Sequence, residues 1–427
     1  MERFEVIIAG GGLAGLAAAY TLAGAGVETL LIERGDYPGS KNVTGGRIYL
    51  NPVRDLFPDL WASAPLERYI VREGAAMVTP ERSVTFFYRG DELKEDPPQS
   101  YSVLRARFDR WFAEEAEARG AMIIPKTKVQ DLIRQNGRVA GVVAGGDELF
   151  AEVVLICDGA LSPLGEKAGL RTWPSPRHFA LGVKEVIALD AAVINERFHL
   201  EGREGAAHLY VGDVTRGRFG GAFLYTNLES VSLGLVLGLD TNSAGENLHV
   251  PSLLEDFKAS PEIAPLVRGG QGVEYSAHVI PEGGYGGLGT LYGDGVLLAG
   301  DAAGFALNLG FTVRGMEYAL ASGYWAAQAV MEARRAGRYD GATLACYQRF
   351  LEESFVLKDF RAFRNNPAVL ANPRLFRHYP ELAAGILKDI YHVPAGPKAR
   401  LFDTVRSRLS LGELFMIIKD LKGFTKL

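Results

Sequence analysis

The most constraining feature of this 427-residue chain is a glycine cluster near its start, Gly10-Gly11-Gly12-Leu13-Ala14-Gly15. It joins a short apolar strand, "FEVIIAG", to an alanine-rich helix, "LAGLAAAYTLAGAG", and a second strand, "VETLLIERG", follows and closes on Glu33. Each position has a physical role. Gly10 permits the tight turn, Gly12 lets the backbone approach a pyrophosphate, and Gly15 lets the helix pack closely on the strand. The N-terminus of the helix, at Leu13 and Ala14, then presents free N–H groups and a positive dipole end to phosphate. Glu33, eighteen residues after Gly15, can accept both ribose hydroxyls and disfavours a 2′-phosphate. Strand, turn, helix, strand and a placed acid together predict a dinucleotide site, with NADP disfavoured.

The same stretch, Val6 to Val27, carries no charge and could be mistaken for a membrane span. Its six glycines and the absence of a positive excess in Met1, Glu2 and Arg3 fit a βαβ unit better. A net charge of −5 and a pI near 5.9 argue against a nucleic-acid partner, because no general phosphate-binding field is present. The two cysteines, Cys157 and Cys346, lie in no ligand spacing, so this chain alone builds no four-cysteine zinc or iron-sulfur site.

Further along, "YSVLRARFDRWFAEEAEARGA" (101–121) predicts a helix whose Phe108, Trp111, Phe112 and Ala116 face a core. Arg105, at its start, is the candidate for a cofactor contact; Arg107 and Arg110 are expected in solvent. "AMIIP", "KVQDLIRQ", "GRVAGVVAG" and "ELFAEVVLICDGA" predict strands, a β-meander inserted in a doubly wound sheet. The last ends at Asp158-Gly159, readable equally as a turn or as a cofactor contact. Residues 177–250 alternate as a separate, mainly antiparallel sheet. Another buried strand, "VLLAG", delivers Gly300-Asp301, and a helix is expected soon after "NLGFT".

A GxGxxG start, a central Asp-Gly and a late "AGDAAG" occur in the order seen in FAD-dependent proteins with the p-hydroxybenzoate hydroxylase-like fold. More narrowly, "ERGDYPGSKNVTGG", "SVLRARFDRWFAEEAE", "IPEGGY", "LLAGDAAGF" and "FLEESFVLKDFRAFRN" make residues 3 to about 390 resemble the family of FixC and the electron transfer flavoprotein:quinone oxidoreductases, the FixC branch above all. The resemblance implies an α/β fold: an FAD-binding Rossmann-like domain with an inserted β-meander (1–75, 102–170 and 272–355), a quinone-side, mainly antiparallel β-sheet domain (76–101 and 171–271), and a helical C-terminal segment (356–427) for membrane or partner contact.

Carried over by position, the resemblance implies FAD pyrophosphate on Gly10, Gly12 and Gly15, with Leu13 and Ala14 at the helix start, and the adenosine ribose on Glu33. Arg34 and Arg105 would flank the adenosine and phosphates, and the Val129 backbone would meet the adenine. Gly300 and Asp301 would hold the ribityl chain and pyrophosphate. Gly310 and Thr312, taken to open the following helix, would face the flavin pyrimidine, where a helix dipole stabilises the charge of reduced flavin. In the loop "YPGSKNVTGG", Gly39, Gly45 and Gly46 would make room for the cofactor, and Lys41 and Asn42 are candidate flavin or phosphate contacts; a surface turn is the alternative. "HVIPEGGYGG" resembles the family's quinone-contacting loop at Gly283 and Gly284, with a plain glycine turn as the alternative and Tyr285 left between ring stacking and packing.

FAD would carry the chemistry, so no catalytic side chain is named. The implied partners are the α and β subunits of an electron transfer flavoprotein, menaquinone or ubiquinone, and a ferredoxin-like FixX-type subunit. No cysteine follows Cys346, so an iron-sulfur cluster, if used, belongs to that partner. The resemblance also admits membership of an electron-bifurcating complex, and implies a cytoplasmic protein peripheral to the cell membrane. From about Pro394 the chain carries seven Lys or Arg against three acids around "LFMIIKDL", a composition suited to an anionic membrane surface, a partner, or a terminal core helix. Two other readings are an isoprenoid-saturating flavoprotein like the geranylgeranyl reductases, whose YxWxFP-type motif has no match around the four tryptophans, and a non-catalytic FAD-binding scaffold.

Overall fold

The computed structural model describes residues 3–41, 46–172, 175–239 and 248–424. The expected contacts Asn42 and Gly45 lie outside the described residues.

Strand β1 (Arg3–Ala9), helix α1 (Leu13–Gly24) and strand β2 (Thr29–Ile32) form the predicted βαβ unit. Parallel neighbours extend it on both sides: Asp147–Ile156 beside β1, then Val296–Leu298, and Met122–Ile124 beyond β2. The meander strands Val129–Gln135 and Arg138–Ala144 hang antiparallel from Asp147–Ile156. Because both faces of this sheet are covered, its central strands read as continuous apolar runs: Val6, Ile7, Ile8, Val153, Val154 and Leu155 are fully buried. Each such side chain contributes about 1.5–3 kcal/mol of burial. Helix Arg105–Ala118 covers one face with Phe108 and Phe112, while Trp111 is half-buried. Arg110 is not simply solvated; its guanidinium lies 3.7 Å from the centre of the Tyr37 ring.

The second sheet runs in the order 271–281, 179–188, 230–238, 220–226, 204–212, 69–78, 100–102, 47–49, with Ser83–Arg89 paired to Tyr69–Val78. It is antiparallel except where 204–212 runs parallel to 69–78. Gln271–Pro281 was expected with the nucleotide-binding part, yet its hydrogen bonds join it to Phe179–Ala188 along its whole length. Arg47–Tyr49 and most of Tyr69–Val78 likewise belong to this second sheet. A strand's sheet is decided by its long-range partner, which chain position does not specify.

Helix Met316–Ala336 returns to the first sheet and packs along α1. The segment beyond it is helical, ending in His378–Tyr391, Leu401–Arg408 and Leu411–Phe424. No helix among the described residues is long and apolar enough to cross a membrane.

Candidate active site between the two sheets

One cavity of about 700 Å³ lies between the sheets. Its floor is the first crossover. Gly10, at φ +115°, sits so close to the Cys157 carbonyl that a Cβ would lie 2.3 Å from the oxygen, so only glycine fits. Gly15 does not reach the cavity; a Cβ there would lie 2.0 Å from the Gly10 carbonyl oxygen, which is the close helix packing expected of it. Gly12, Leu13 and Ala14 line the cavity. Helix α1 has no side-chain N-cap and no acid in its first turn, so its leading N–H groups and positive dipole end face the cavity ready for an anion. That donor set, with no Cβ filling the cradle, fits a dinucleotide pyrophosphate.

Glu33 and Arg34 line the adjoining wall. The Glu33 carboxylate accepts from Gly11 N at 2.8 Å and from Gly35 N at 2.5 Å, which holds it at the tip of β2 with lone pairs left for ribose hydroxyls. Val129 and Lys41 also line the cavity. In the opening loop, Gly46 reaches the cavity and lies against Tyr225. Gly39 makes room for a helix rather than for a cofactor, since a Cβ there would lie 2.6 Å from Asp109 Cβ.

Arg105 reaches the cavity from the start of its helix, gripped by Asp109 through two bonds of 2.7 and 2.8 Å. Asp301 and Gly300 lie opposite, at the end of Val296–Leu298. Burial raises the Asp301 pKa, opposed by His278, Arg105 and Arg171. Arg171 donates to the carbonyls of Ala302 (2.5 Å) and Asp301 (3.3 Å), which fixes the Gly300–Ala303 turn. Asp158 and Gly159 also line the cavity. The Asp158 carboxylate accepts from Ser162 Oγ at 2.7 Å and Leu164 N at 2.9 Å, so the turn reading and the cavity position hold together.

Two expectations are corrected by the geometry. Gly310 and Thr312 do not open a helix. They form the turn of a hairpin between Leu307–Asn308 and Val313–Arg314, closed by Leu309 N to Thr312 O at 2.8 Å. The helix starts only at Met316 because Gly315 is the first residue free of the hairpin; Gly310 lines the cavity and Thr312 does not. Gly283, Gly284 and Tyr285 do not line it either. Cβ atoms at Gly283 and Gly284 would lie 2.8 Å from Gly287 Cα and from Pro367 Cγ respectively, the latter at φ +53°. Their small size serves chain packing, and Tyr285 is partly exposed.

The sequence reading missed the residue just before them. Glu282 lines the cavity, and burial pushes its carboxyl up to about 7, opposed by the Asn308 amide at 3.4 Å. His278 and Arg314 were missed as well. Arg314 is held by Glu317 at 2.6 Å and Asp359 at 2.7 Å. The roof, from the second sheet, is apolar: Leu181, Leu209, Phe223 and Val236. Only the signal "HVIPEGGY", with His278 and Glu282 flanking the strand's end at Pro281, could have flagged these two residues.

A family model described as an FAD binding domain matches residues 3–195. The chain is 44% identical to the probable electron transfer flavoprotein-quinone oxidoreductase YdiS of Escherichia coli K12, over 100% of this chain and 99% of that protein. Protein FixC of the same strain is 44% identical over the same shares. Among solved structures, a geranylgeranyl bacteriochlorophyll reductase-like protein from Thermoplasma acidophilum superposes with a TM-score of 0.74 at 20% identity, over 99% of this chain and 100% of that one. The myxobacterial halogenase CndH gives 0.61 at 19%, over 86% and 81%. At those identities the two structures share the fold. With its full-length relatives and its FAD binding domain, the chain belongs to the family of FixC and the electron transfer flavoprotein-quinone oxidoreductases, FAD-dependent oxidoreductases.

Proposed function

We propose that this chain is the FAD-bearing subunit that takes electrons from the α and β subunits of an electron transfer flavoprotein and passes them to a membrane quinone, menaquinone or ubiquinone. A ferredoxin-like FixX-type subunit carries the iron-sulfur cluster, and the assembly works at the cytoplasmic face of the cell membrane. The observation that carries this reading is that one cavity joins the dinucleotide cradle at α1 to the apolar roof at Leu181, Leu209, Phe223 and Val236. A dinucleotide and an apolar ring can lie edge to edge there, as electron transfer requires.

When bound, FAD supplies the exchange of electrons. The residues of the chain bind, orient and exclude water. Gly10, Gly12 and the first turn of α1 receive the pyrophosphate, Glu33 and Arg34 the adenosine, and Arg105, aimed by Asp109, the adjoining charge. Arg171 holds the turn that presents Asp301. Arg314, paired with Glu317 and Asp359, and Gly315 at the start of helix Met316–Ala336 line the same cavity and would orient the ring system.

The test mixes the purified FAD-loaded chain, its ferredoxin-like partner, reduced electron transfer flavoprotein and a soluble menaquinone analogue. Quinone reduction coupled to flavin reoxidation is expected; no quinone reduction overturns the reading. A flavin midpoint titration on the same complex separates electron transfer from a scaffold role and decides whether electrons can be bifurcated.

A further inference from the structure

We propose that Glu282 is the proton donor to the quinone, an assignment that rests on the function proposed above. The carboxyls around the cavity differ in what holds them. Glu33 accepts from two backbone N–H groups, Asp158 from Ser162 and Leu164, and Asp301 faces His278, Arg105 and Arg171. Glu282 has no cation and no backbone donor on its carboxyl among the described residues; its hydrogen-bond partner is the Asn308 amide at 3.4 Å. A carboxyl in such a setting keeps its proton near neutrality, and burial pushes this one up to about 7.

Its surroundings hold it in place without ionising it. Glu282 N donates to the His178 carbonyl at 2.7 Å. The His178 imidazole has its pKa lowered, first by burial and then by Arg177 and Arg171. On the hairpin, Asn308 is fixed by its own carbonyl, which accepts from Asn366 Nδ2 at 3.0 Å, and Arg314 on the facing strand is occupied by Glu317 and Asp359. His278, four residues earlier, faces Asp301, Arg105 and Arg34. Glu282 itself is half-buried, so it can lose a proton into the cavity and regain one from water.

The balance is complete. Anionic reduced flavin gives two electrons and one proton, and a quinone becoming a hydroquinone takes two of each. The missing proton comes from Glu282: its carboxyl O–H bond breaks, an O–H bond forms on a quinone carbonyl oxygen, and the carboxylate is reprotonated by solvent.

The test compares the FAD-loaded wild-type chain with Glu282→Gln and Glu282→Asp, each photoreduced and mixed rapidly with a short-chain menaquinone analogue or with ferricyanide, which takes electrons but no protons. Flavin reoxidation by the quinone should slow at least about tenfold in Glu282→Gln, partly recover in Glu282→Asp, and lose its dependence on pH around 7; reoxidation by ferricyanide should not change. Independently of turnover, infrared difference spectra of the wild type should show a protonated carboxyl that titrates near pH 7 and is absent from Glu282→Gln. Equal slowing with both acceptors, or none with the quinone, overturns the assignment while leaving the function standing. A wild type that reduces ferricyanide but never the quinone overturns both.

Discussion

The backbone carbonyl oxygen of Ala14 lies 2.1 Å from where a Cβ on Gly323 would stand. Helix Met316–Ala336 therefore touches α1 backbone to backbone, directly behind the Gly10–Gly12 turn. Gly323→Ala must push the helices apart, and because the obstacle is main chain it cannot be relieved by a rotamer change. A loss of about 3 kcal/mol in stability is expected from overpacking, read as a lowered denaturation midpoint, together with weaker FAD retention. An unchanged midpoint would mean that the helices are less tightly apposed.

Glu33→Gln replaces a carboxylate that accepts from Gly11 N and Gly35 N with an amide whose NH2 must face one of those donors. FAD affinity, followed by quenching of flavin fluorescence, should fall about tenfold, equivalent to about 1.4 kcal/mol, with the far-ultraviolet spectrum unchanged.

Arg314 and Glu317 form a pair in which the acid is fully buried, and burial raises the Glu317 pKa against the pull of Arg314. Arg314→Met strands that carboxyl and should cost about 3–5 kcal/mol in chemical denaturation. The double variant Arg314→Met/Glu317→Gln should recover a large part of the loss, because the stranded charge is gone.

His208 sits in the second sheet against Phe87 and Phe198, and burial, with help from Arg72, lowers its pKa from 6.5 to about 4. The unfolded chain thus binds a proton that the folded chain refuses between those values. Stability contributed by the neutral ring is complete above about pH 6.5 and is lost as pH falls towards 4, by about 3 kcal/mol in all. His208→Gln should remove this part of the acid limb in a stability-versus-pH series.

The last two helices expose Leu401, Phe402, Leu411 and Phe415 among Lys398, Arg400, Arg406 and Arg408. Arg374 Nε bonds Asp420 at 2.7 Å and Arg408 bonds Asp389 at 2.6 Å, which ties the segment to the body with its apolar side outward. Co-sedimentation with vesicles containing an anionic phospholipid should fall about tenfold in Leu411→Ser/Phe415→Ser and should weaken with salt.

The sequence alone determined the βαβ unit, its glycine turn and the acid at the tip of β2. These depend on local sterics and on apolar periodicity, which a few consecutive residues encode completely. The helix holding Arg105 was legible for the same reason. Only the tertiary structure decided that Gly310 and Thr312 turn a hairpin, because Leu307–Asn308 had to find Val313–Arg314 before the helix could start. Only it decided that Gly283 and Gly284 pack against Gly287 and Pro367 while Glu282 faces the cavity. The difference is physical. A backbone turn is set by the residues within it, whereas the company of a side chain, and with it the proton affinity of a carboxyl, is set by segments that meet it from far along the chain.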